Sequence, residues 1–269
     1  MEECTYGLVK RIEFITEKIE KYNPSTVLDV GCGTGDQLTT LLAERFIKIQ
    51  FTGIDSDQET IQYAKDKNLQ KNLNFITWEK SNILTKFDMI IASEVIEHVE
   101  SPDEFIFGLG QLLSNDGKII LTLPNGYGPF EFASFLEIIY RFSGLRKIIK
   151  LIRPVVKIEH NNISINTLAN SPHINFFSYK EIISLIENSG YKILSFSSRT
   201  IFCGFIFDSL IKARSLINLN SKYASKINPL LCSAWMFVID KDNNNNKYYK
   251  YRRGNISRIR RKLNEVRWK

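Results

Sequence analysis

A turn of alternating glycines constrains this chain more than any other feature of its sequence. Residues 31–35 read GCGTG and directly follow 26–30, a short apolar run rich in β-branched side chains. Glycine permits positive φ and close approach of a ligand, and a helix starting near residue 35 offers unpaired N–H groups. The dinucleotide-binding pattern would need glycine where Asp36 stands, and Asp29 adds a second negative charge beside the turn. We therefore predict a strand, tight turn and helix that bind a ligand carrying positive charge.

A second acidic residue follows at the distance that this fold requires. Asp55 ends the apolar run 50–55, twenty residues beyond Gly35. In an open α/β sheet, an acid at this place accepts hydrogen bonds from two ribose hydroxyls. The alternative is an aspartate that caps the following helix. The glycine turn upstream favours the ribose role.

The first half of the chain alternates between strand and helix patterns. Further strands are predicted at 72–77, 87–93 and 118–123, with helices at 6–22, 57–67 and 101–113. Such alternation predicts an α/β fold with a doubly wound, mostly parallel sheet. After residue 124 the alternation stops. We expect helical insertions after the fifth strand and after a sixth at 191–198, followed by a last strand at 232–240.

Four motifs together resemble the class I S-adenosylmethionine-dependent methyltransferases. They are VLDVGCGTG at 27–35, GID at 53–55, FDMIIASEVIEHV at 87–99 and LLSNDGKIILTLPNGYG at 112–128. The resemblance covers about residues 24–198. It is closest to the branch with ubiquinone-biosynthesis O-methyltransferases and with sugar, lipid and natural-product methyltransferases. It implies a Rossmann-like sheet with an antiparallel last strand, S-adenosylmethionine as cofactor and S-adenosylhomocysteine as product.

The resemblance also implies which residues contact the cofactor. These are Asp29, Gly31, Cys32, Gly33, Gly35, Asp55, Ser56, Asn82 and Ser93. Asp29 is expected to meet the methionine ammonium through water. Gly31 and Gly33 are expected to pass beneath the methionine and ribose. Ser93, at the end of the fourth strand, is expected to face the sulfonium.

At the adenosine end, the resemblance assigns the ribose hydroxyls to Asp55 and a place beside adenine to Ser56. Family members often carry an acid near the adenine amine, after the third strand. Here that stretch is 77–82, and its register against the family is not defined. Trp78 within it is either an adenine-stacking residue or part of the core.

Methylation of a hydroxyl requires removal of a proton, which favours a general base. The chain has three histidines, His98, His160 and His173. We predict His173 as base or substrate orienter, because related sequences place a similar His-x-x-Phe-Phe-Ser segment at the mouth of the site; packing at a helix start is the alternative. His98 organises its loop or takes part in the chemistry, and His160 is expected to reach the pocket from the insertion. Glu94 and Glu97 are further candidates, with Glu97 expected to point outward, and no ligand spacing predicts a catalytic metal.

The predicted organisation is one methyltransferase domain with a basic tail. The domain spans 1–240, with a cofactor-binding core at 24–124, a helical insertion or lid at 125–174 and a second insertion at 199–231; the tail is 241–269. The first insertion leaves the carboxyl edge of the sheet, where ligands bind, so we expect it to set acceptor specificity. The composition of 125–128 predicts a mobile hinge. Tyr127 and Tyr140 are candidate pocket residues.

The predicted reaction is O-methylation of a small-molecule, glycan or lipid-linked acceptor. Residues 131–153 carry an apolar helical stripe opposite basic side chains, which predicts a lid, a contact with an anionic membrane surface, or both. Residues 202, 205 and 207 are phenylalanines and indicate a second such surface. No run of about 18 apolar residues predicts a spanning helix, so we expect a cytoplasmic protein, either free or peripheral to the membrane.

The net charge of +7 lies in the tail, where eleven Lys/Arg stand against Asp242 and Glu265. The favoured interpretation is a solvated tail, followed by an anionic lipid surface. Binding of RNA through basic and aromatic side chains ranks last. Because no RNA-binding module precedes the tail, the sequence argues against a nucleic-acid partner.

Overall fold

The computed structural model describes residues 5–78, 85–128, 173–201, 220, 223–224, 226–242 and 249–267. The elements are α1 (Thr5–Tyr22), β1 (Thr26–Val30), α2 (Thr39–Arg45), β2 (Gln50–Asp55), α3 (Gln58–Lys67), β3 (Leu73–Thr77), β4 (Phe87–Ser93), α4 (Pro102–Leu112), β5 (Leu113–Pro124), α5 (Tyr179–Asn188), β6 (Tyr191–Ser198), a 3-10 turn (Pro229–Leu231), β7 (Ala234–Lys241) and α6 (Asn255–Arg267).

The strands form one seven-stranded sheet in the order β3-β2-β1-β4-β5-β7-β6. The pairs from β3 to β5 are all parallel, whereas β7 runs antiparallel to both β5 and β6. The predicted α/β fold, a mostly parallel doubly wound sheet with an antiparallel last strand, is confirmed. Its central strands read as continuous apolar runs because helices cover both faces.

Alternate residues of each central strand enter different cores. Leu28 and Ile90 belong to the cluster beneath α4 and α5, which also contains Trp235. Val27 and Met89 belong to the opposite cluster, which receives the apolar face of α1. The helix predicted at 6–22 is present as α1, and it covers one face of the sheet.

Two predicted boundaries differ from the observed ones. The helix expected from about residue 35 begins at Thr39, because Gly35 has a left-handed φ of 75° that a helix cannot include. The strand expected at 118–123 begins at Leu113, and residues 114–117 form a bulge where the register with β4 shifts.

The prediction of a solvated tail is wrong for residues 249–261. Tyr249 and Tyr251 pack against the core beneath α5, and Arg261 pairs with Glu100 through two hydrogen bonds of 2.9 and 2.8 Å. The aromatic and basic side chains that indicated a tail are thus partly used within the chain itself. Among the helices of the described residues, none combines the length and apolar character needed to cross a membrane.

Candidate functional site

The glycine turn that follows β1 has open space at its centre. Gly31, Gly33 and Gly35 all have positive φ, of 71°, 55° and 75°. A Cβ on Gly31 would lie 2.6 Å from Val95 Cγ2, and one on Gly35 would lie 2.5 Å from Phe75 Cζ. At Gly33 an added Cβ would meet nothing within 4 Å. The outer two glycines are therefore needed for packing, while the middle one leaves room for a ligand against the backbone.

Asp55 points toward this turn and does not cap the following helix. Its Oδ2 accepts a hydrogen bond from the Gly33 N–H at 2.9 Å, and its Oδ1 accepts one from the Asp57 N–H at 3.0 Å. The cap of α3 is Asp57, whose side chain accepts from Glu59 and Thr60. Because each carboxylate oxygen has about two acceptor positions, Asp55 can still receive two hydroxyls.

The other residues expected at the adenosine end lie close to Asp55 in the chain. Ser56 is exposed beside it, and the Trp78 N–H donates to the backbone oxygen of Asp55 at 2.7 Å. The Trp78 ring is partly buried against the core, which favours the core interpretation of that residue. Asn82 lies outside the described residues.

Asp29 is buried beneath the turn, with 3% of its surface exposed. Its Oδ2 accepts a hydrogen bond from Thr39 Oγ1 at 2.5 Å. Burial raises the pKa of the Asp29 carboxyl to about 7, although the Thr39 hydrogen bond and the charge of Arg11 act in the opposite direction. The group is therefore near its titration midpoint at neutral pH.

Arg11 is a residue of this site that the sequence analysis missed. It lies on α1 and is 5% exposed, and its charge acts on both Asp29 and Glu94. A signal was present, because Arg11 stands three residues after Leu8 and four before Ile15, on the apolar face of the helix. An arginine on a face that packs against a sheet indicates a specific anionic partner.

Polar side chains converge at the carboxyl ends of β4 and β5. Ser93 Oγ lies 3.0 Å from Thr122 Oγ1, and Thr122 donates to Glu94 Oε1 at 2.9 Å. Arg199, 4% exposed, places Nη1 3.2 Å from Glu94 Oε2. Burial alone would raise the pKa of Glu94, but the charges of Arg199 and Arg11 and the Thr122 hydrogen bond hold it below its ordinary value. Glu94 is thus a half-buried carboxylate that is ionised at neutral pH.

The turn after β4 brings two of the three histidines together. The His98 and His173 rings are 4.9 Å apart between centroids and inclined by 68°. Glu97, expected to point outward, is instead 1% exposed, with Oε1 3.9 Å from His98 Nε2. Burial and the neighbouring Glu94 raise the pKa of Glu97 to about 8, and neither of its carboxyl oxygens accepts a hydrogen bond from a described residue.

Glu97, His98 and His173 can each offer a ligand atom within 4.8 Å of the others. Linear spacing did not show this set, because His173 comes from a segment 75 positions after His98. The set can share a proton or hold a cation. The absence of a catalytic metal stays a prediction.

The turn that carries His98 lies beside the glycine turn. Val95, in the turn that carries His98, packs against Gly31 of the glycine turn. Cys32 has its thiol pKa raised by burial and is therefore neutral beside this turn. His160 and Tyr140 lie outside the described residues, as do the stripe at 131–153 and Phe202, Phe205 and Phe207.

The segment expected to be a mobile hinge is held in place where the structure describes it. Asn125 Nδ2 donates to the backbone oxygens of Leu230 and Cys232, at 3.0 and 2.8 Å. The Gly126 N–H donates to the Phe177 oxygen at 3.0 Å. Tyr127 follows with 42% of its surface exposed at the carboxyl edge of the sheet. The buried asparagine therefore makes this a fixed turn.

A family model described as a methyltransferase domain matches residues 4–195, which is most of the chain. The chain belongs to the class I S-adenosylmethionine-dependent methyltransferases. The family that the motifs resembled is therefore confirmed. This methyltransferase carries the glycine turn, Asp55 and the histidine pair within or near the matched region.

Curated relatives of this methyltransferase match it over less than half of the chain. The ubiquinone biosynthesis O-methyltransferase of Rickettsia canadensis (strain McKiel) is 37% identical over 123 residues, 43% of this chain and 51% of that protein. The mitochondrial ubiquinone biosynthesis O-methyltransferase of Schizosaccharomyces pombe is 32% identical over 124 residues, 42% of this chain and 43% of that protein. The chain thus spans about half the length of the curated relatives it matches.

Solved methyltransferase structures share the fold over most of this chain. The plantazolicin methyltransferase BamL, in complex with a triazolic desmethylPZN analog and SAH, has a TM-score of 0.52 and 22% identity, and the match covers 89% of this methyltransferase and 86% of BamL. PKMT2 from Rickettsia typhi has a TM-score of 0.54 and 18% identity, covering 91% and 55% of the two chains. At these identities the likeness establishes the fold.

Proposed function

We propose that this methyltransferase moves a methyl group from S-adenosylmethionine to a hydroxyl oxygen of a small-molecule, glycan or lipid-linked acceptor. One observation carries the proposal: the open face of Gly33, with the Asp55 carboxylate beside it, adjoins a half-buried pair of histidines through the contact of Val95 with Gly31. The first half of this arrangement suits a nucleoside, and the second suits proton removal.

The residues at the turn fit this cofactor. Asp55 is held by two backbone N–H groups with its remaining acceptor positions available for ribose hydroxyls, and Gly33 leaves space for the ribose to cross the backbone. Asp29 would meet the methionine ammonium, and Arg11 its carboxylate. S-adenosylmethionine supplies a methyl group already activated on a sulfonium, so the protein mainly positions and desolvates the reactants.

We assign removal of the acceptor proton to His173, with His98 as its neighbour. A proton taken up by the His173 ring would be stabilised by the anionic carboxylate of Glu94 and by any ionised fraction of Glu97, since both act electrostatically on His173. Glu97 and Phe176 beside this pair are buried, and the two histidine rings themselves are half-buried. The geometry thus supports base catalysis rather than positioning alone.

Among acceptors, the relatives favour a quinone-related or lipid-linked compound. Their names assign them to ubiquinone biosynthesis and to O-methylation. This supports a membrane-associated variant of the same function. An RNA acceptor has less support, because Arg253, Arg260 and Arg261 of the basic segment bind other parts of this chain.

The cofactor part is tested by calorimetric titration with S-adenosylmethionine and S-adenosylhomocysteine. Removing a charge-assisted hydrogen bond costs about 1.5–3 kcal/mol, so Asp55→Ala should weaken binding about ten- to a hundred-fold. Asp57→Ala is the matched control, because it removes the α3 cap two residues away and leaves the ribose site intact. Equal affinity of wild type and Asp55→Ala would contradict the assignment.

The acceptor part is tested by formation of S-adenosylhomocysteine with matched compounds. A catechol, the same catechol with a prenyl chain, and a free sugar are each compared with the derivative whose hydroxyls are already methylated. We expect turnover with at least one free hydroxyl compound and none with its methyl ether. Equal formation of S-adenosylhomocysteine with a free hydroxyl compound and with its methyl ether would refute O-methylation.

A further inference from the structure

The segment that precedes and begins α6 lies across loops of the candidate site. We call residues 249–261 the strap. The Tyr251 ring lies 5.4 Å from the Phe177 ring, between centroids. Ser257, which is fully buried, accepts a hydrogen bond from the Phe176 N–H at 3.4 Å. The strap therefore contacts consecutive residues just after His173.

Arg260 extends these contacts to the turn after β5. Its guanidinium donates to the backbone oxygen of Gly126 and lies 4.2 Å from the Phe176 ring centroid. The centroid of the Tyr127 ring lies 5.7 Å from the same guanidinium. One strap side chain thus joins two loops at the carboxyl edge of the sheet.

Asn175 is the residue through which the strap reaches the histidine pair. Its Nδ2 donates to the backbone oxygens of Ile96 and Val99, at 3.0 and 2.6 Å. Its backbone N–H donates to the backbone oxygen of Glu97 at 2.9 Å. These three bonds hold the turn that carries His98. Because Asn175 lies two positions after His173, the same residue sets the distance between the two rings.

Arg253 of the strap satisfies the remaining atom of Asn175. Both amide hydrogens of Asn175 are used by the turn, which leaves Oδ1, and Arg253 Nε donates to it at 2.7 Å. Arg253 also donates to the backbone oxygen of Glu100. Asn175 is 2% exposed, so without Arg253 its amide oxygen would lose a charge-assisted hydrogen bond in a site that water reaches poorly.

We propose that the strap is a positioning element of the methyl-transfer site, in which Arg253 holds Asn175 and thereby sets the geometry of the His98–His173 pair. The inference rests on the proposed function and adds to it. Arg253 touches neither reactant. The strap should therefore affect turnover and leave cofactor affinity unchanged.

Within the strap, substitution of Arg253 should lower turnover more than substitution of Arg261. The Arg261–Glu100 pair has good geometry, but the Glu100 side chain is 69% exposed, and exposed ion pairs contribute little. The Arg253–Asn175 bond is shielded and acts directly on the turn. A displacement of about 1 Å at a reacting group can cost about a hundred-fold in rate.

The test uses the full chain with Arg253→Ala and two readouts. The first is NMR of the histidine rings, which is simple because the chain has three histidines. We expect the His98 and His173 signals to move. The second is turnover with whichever of the catechol, prenylated catechol and sugar the wild type methylates, which should fall about ten- to a hundred-fold while affinity for S-adenosylhomocysteine stays within about twofold. Arg253→Lys should restore part of both, because an ammonium can also donate to Oδ1.

Arg252→Ala is the matched control, because Arg252 is the exposed neighbour with the same charge. The proposal is overturned if Arg253→Ala leaves the histidine signals unchanged, or if Arg252→Ala gives the same changes. If Arg253→Ala does not fold, Arg253→Met keeps the aliphatic stem and carries the same readouts. A wrong proposed function would give a different result from a wrong strap proposal. Wild type would then neither bind S-adenosylhomocysteine nor methylate hydroxyls, while the histidine signals of Arg253→Ala would still show whether the strap positions the two rings.

Discussion

At the scale of single residues, we expect Asp29 to couple cofactor binding to the release of a proton. Its pKa is about 7 in the free protein, so at pH 6 most molecules carry the protonated form. A cation placed near the carboxyl favours ionisation. We therefore predict release of about one proton when S-adenosylmethionine binds at pH 6, measured by titration calorimetry in two buffers of different ionisation enthalpy.

Asp29→Asn should abolish that proton release. Asp36→Asn should retain it, because Asp36 is an acid near the same turn whose carboxylate pairs with Lys67 at 2.9 Å instead. Identical apparent enthalpies for wild type in both buffers would show that the Asp29 carboxyl does not ionise on binding.

His173 should carry more of the chemistry than His98. General-base groups contribute about a hundred- to ten-thousand-fold to rate, so His173→Asn should lower kcat by that order and leave affinity for S-adenosylhomocysteine unchanged. His98→Asn should have a smaller effect, and the comparison of kcat for the two variants is the measurement. A larger loss in His98→Asn would reverse the two roles.

Residue positions were predictable where the partner is near in sequence. Asp55 and Gly33 are 22 positions apart, within one strand-helix-strand unit, and that pattern predicted that they lie close together. The burial of Glu97 was not predictable, because a distant segment covers this residue. The Ile174 and Asn175 N–H groups of that segment donate to the backbone oxygen of Glu97.

At the scale of elements, substitutions in the glycine turn should affect stability and cofactor affinity to different extents. Gly33→Ala should fold with a loss of about 1–2 kcal/mol, because its φ of 55° is left-handed, and should lose cofactor affinity because the methyl group enters open space. Gly31→Ala should lose more stability, since its methyl group would overlap Val95. Urea unfolding and calorimetry measure the two effects.

A helix offers the control for these substitutions. Gly108 lies in α4 with nothing within 4 Å of an added Cβ, so Gly108→Ala should raise stability by about 0.5–1 kcal/mol. Gly110→Ala in the same helix should lower it, because the methyl group would meet the Tyr191 hydroxyl. If both variants had the same stability, the space around the added methyl group would not determine the effect of these substitutions.

Elements with strong periodicity were predictable and their ends were less so. The central strands β1 and β4 are largely buried on both faces, and the apolar runs that result mark them in the sequence. The start of β5 was missed because the bulge opposite Asp88 has the composition of a turn. The place of β7 between β5 and β6 depends on pairing over long separations, which local patterns do not contain.

At the scale of the whole molecule, buried acids should make stability fall as pH rises. The pKa of Asp29 is raised to about 7 and that of Glu97 to about 8, whereas both groups titrate near 4 in an unfolded chain. Between these values the native state binds more protons than the unfolded state. We therefore predict a lower free energy of unfolding at pH 8 than at pH 5.5, measured by urea unfolding.

The double variant Asp29→Asn, Glu97→Gln should show a flatter dependence over the same interval. Asp57→Ala, which changes an exposed acid, should keep the wild-type slope. Stability that rose from pH 5.5 to pH 8 in wild type would mean that these carboxyls are ionised in the native protein.

The arrangement of the basic segment was not predictable from charge. Arg261 meets Glu100 across 161 positions of chain, and Arg253 meets Asn175 across 78. Composition identifies a basic segment, but which surface receives it depends on the assembled fold. A solvated tail was therefore the expectation, and an integrated strap is the finding.

Because β7 lies between β5 and β6 but follows both in the chain, the sheet cannot be completed until the last strand has been synthesised. The ribosome releases β5 and β6 before residues 234–241, yet β6 pairs with no other strand of the described sheet than β7. Until β7 emerges, a nascent chain exposes one edge of β5 and both edges of β6, and open edges promote aggregation. A premature stop before residue 234 should therefore give an insoluble product, even though the whole glycine turn has already been made.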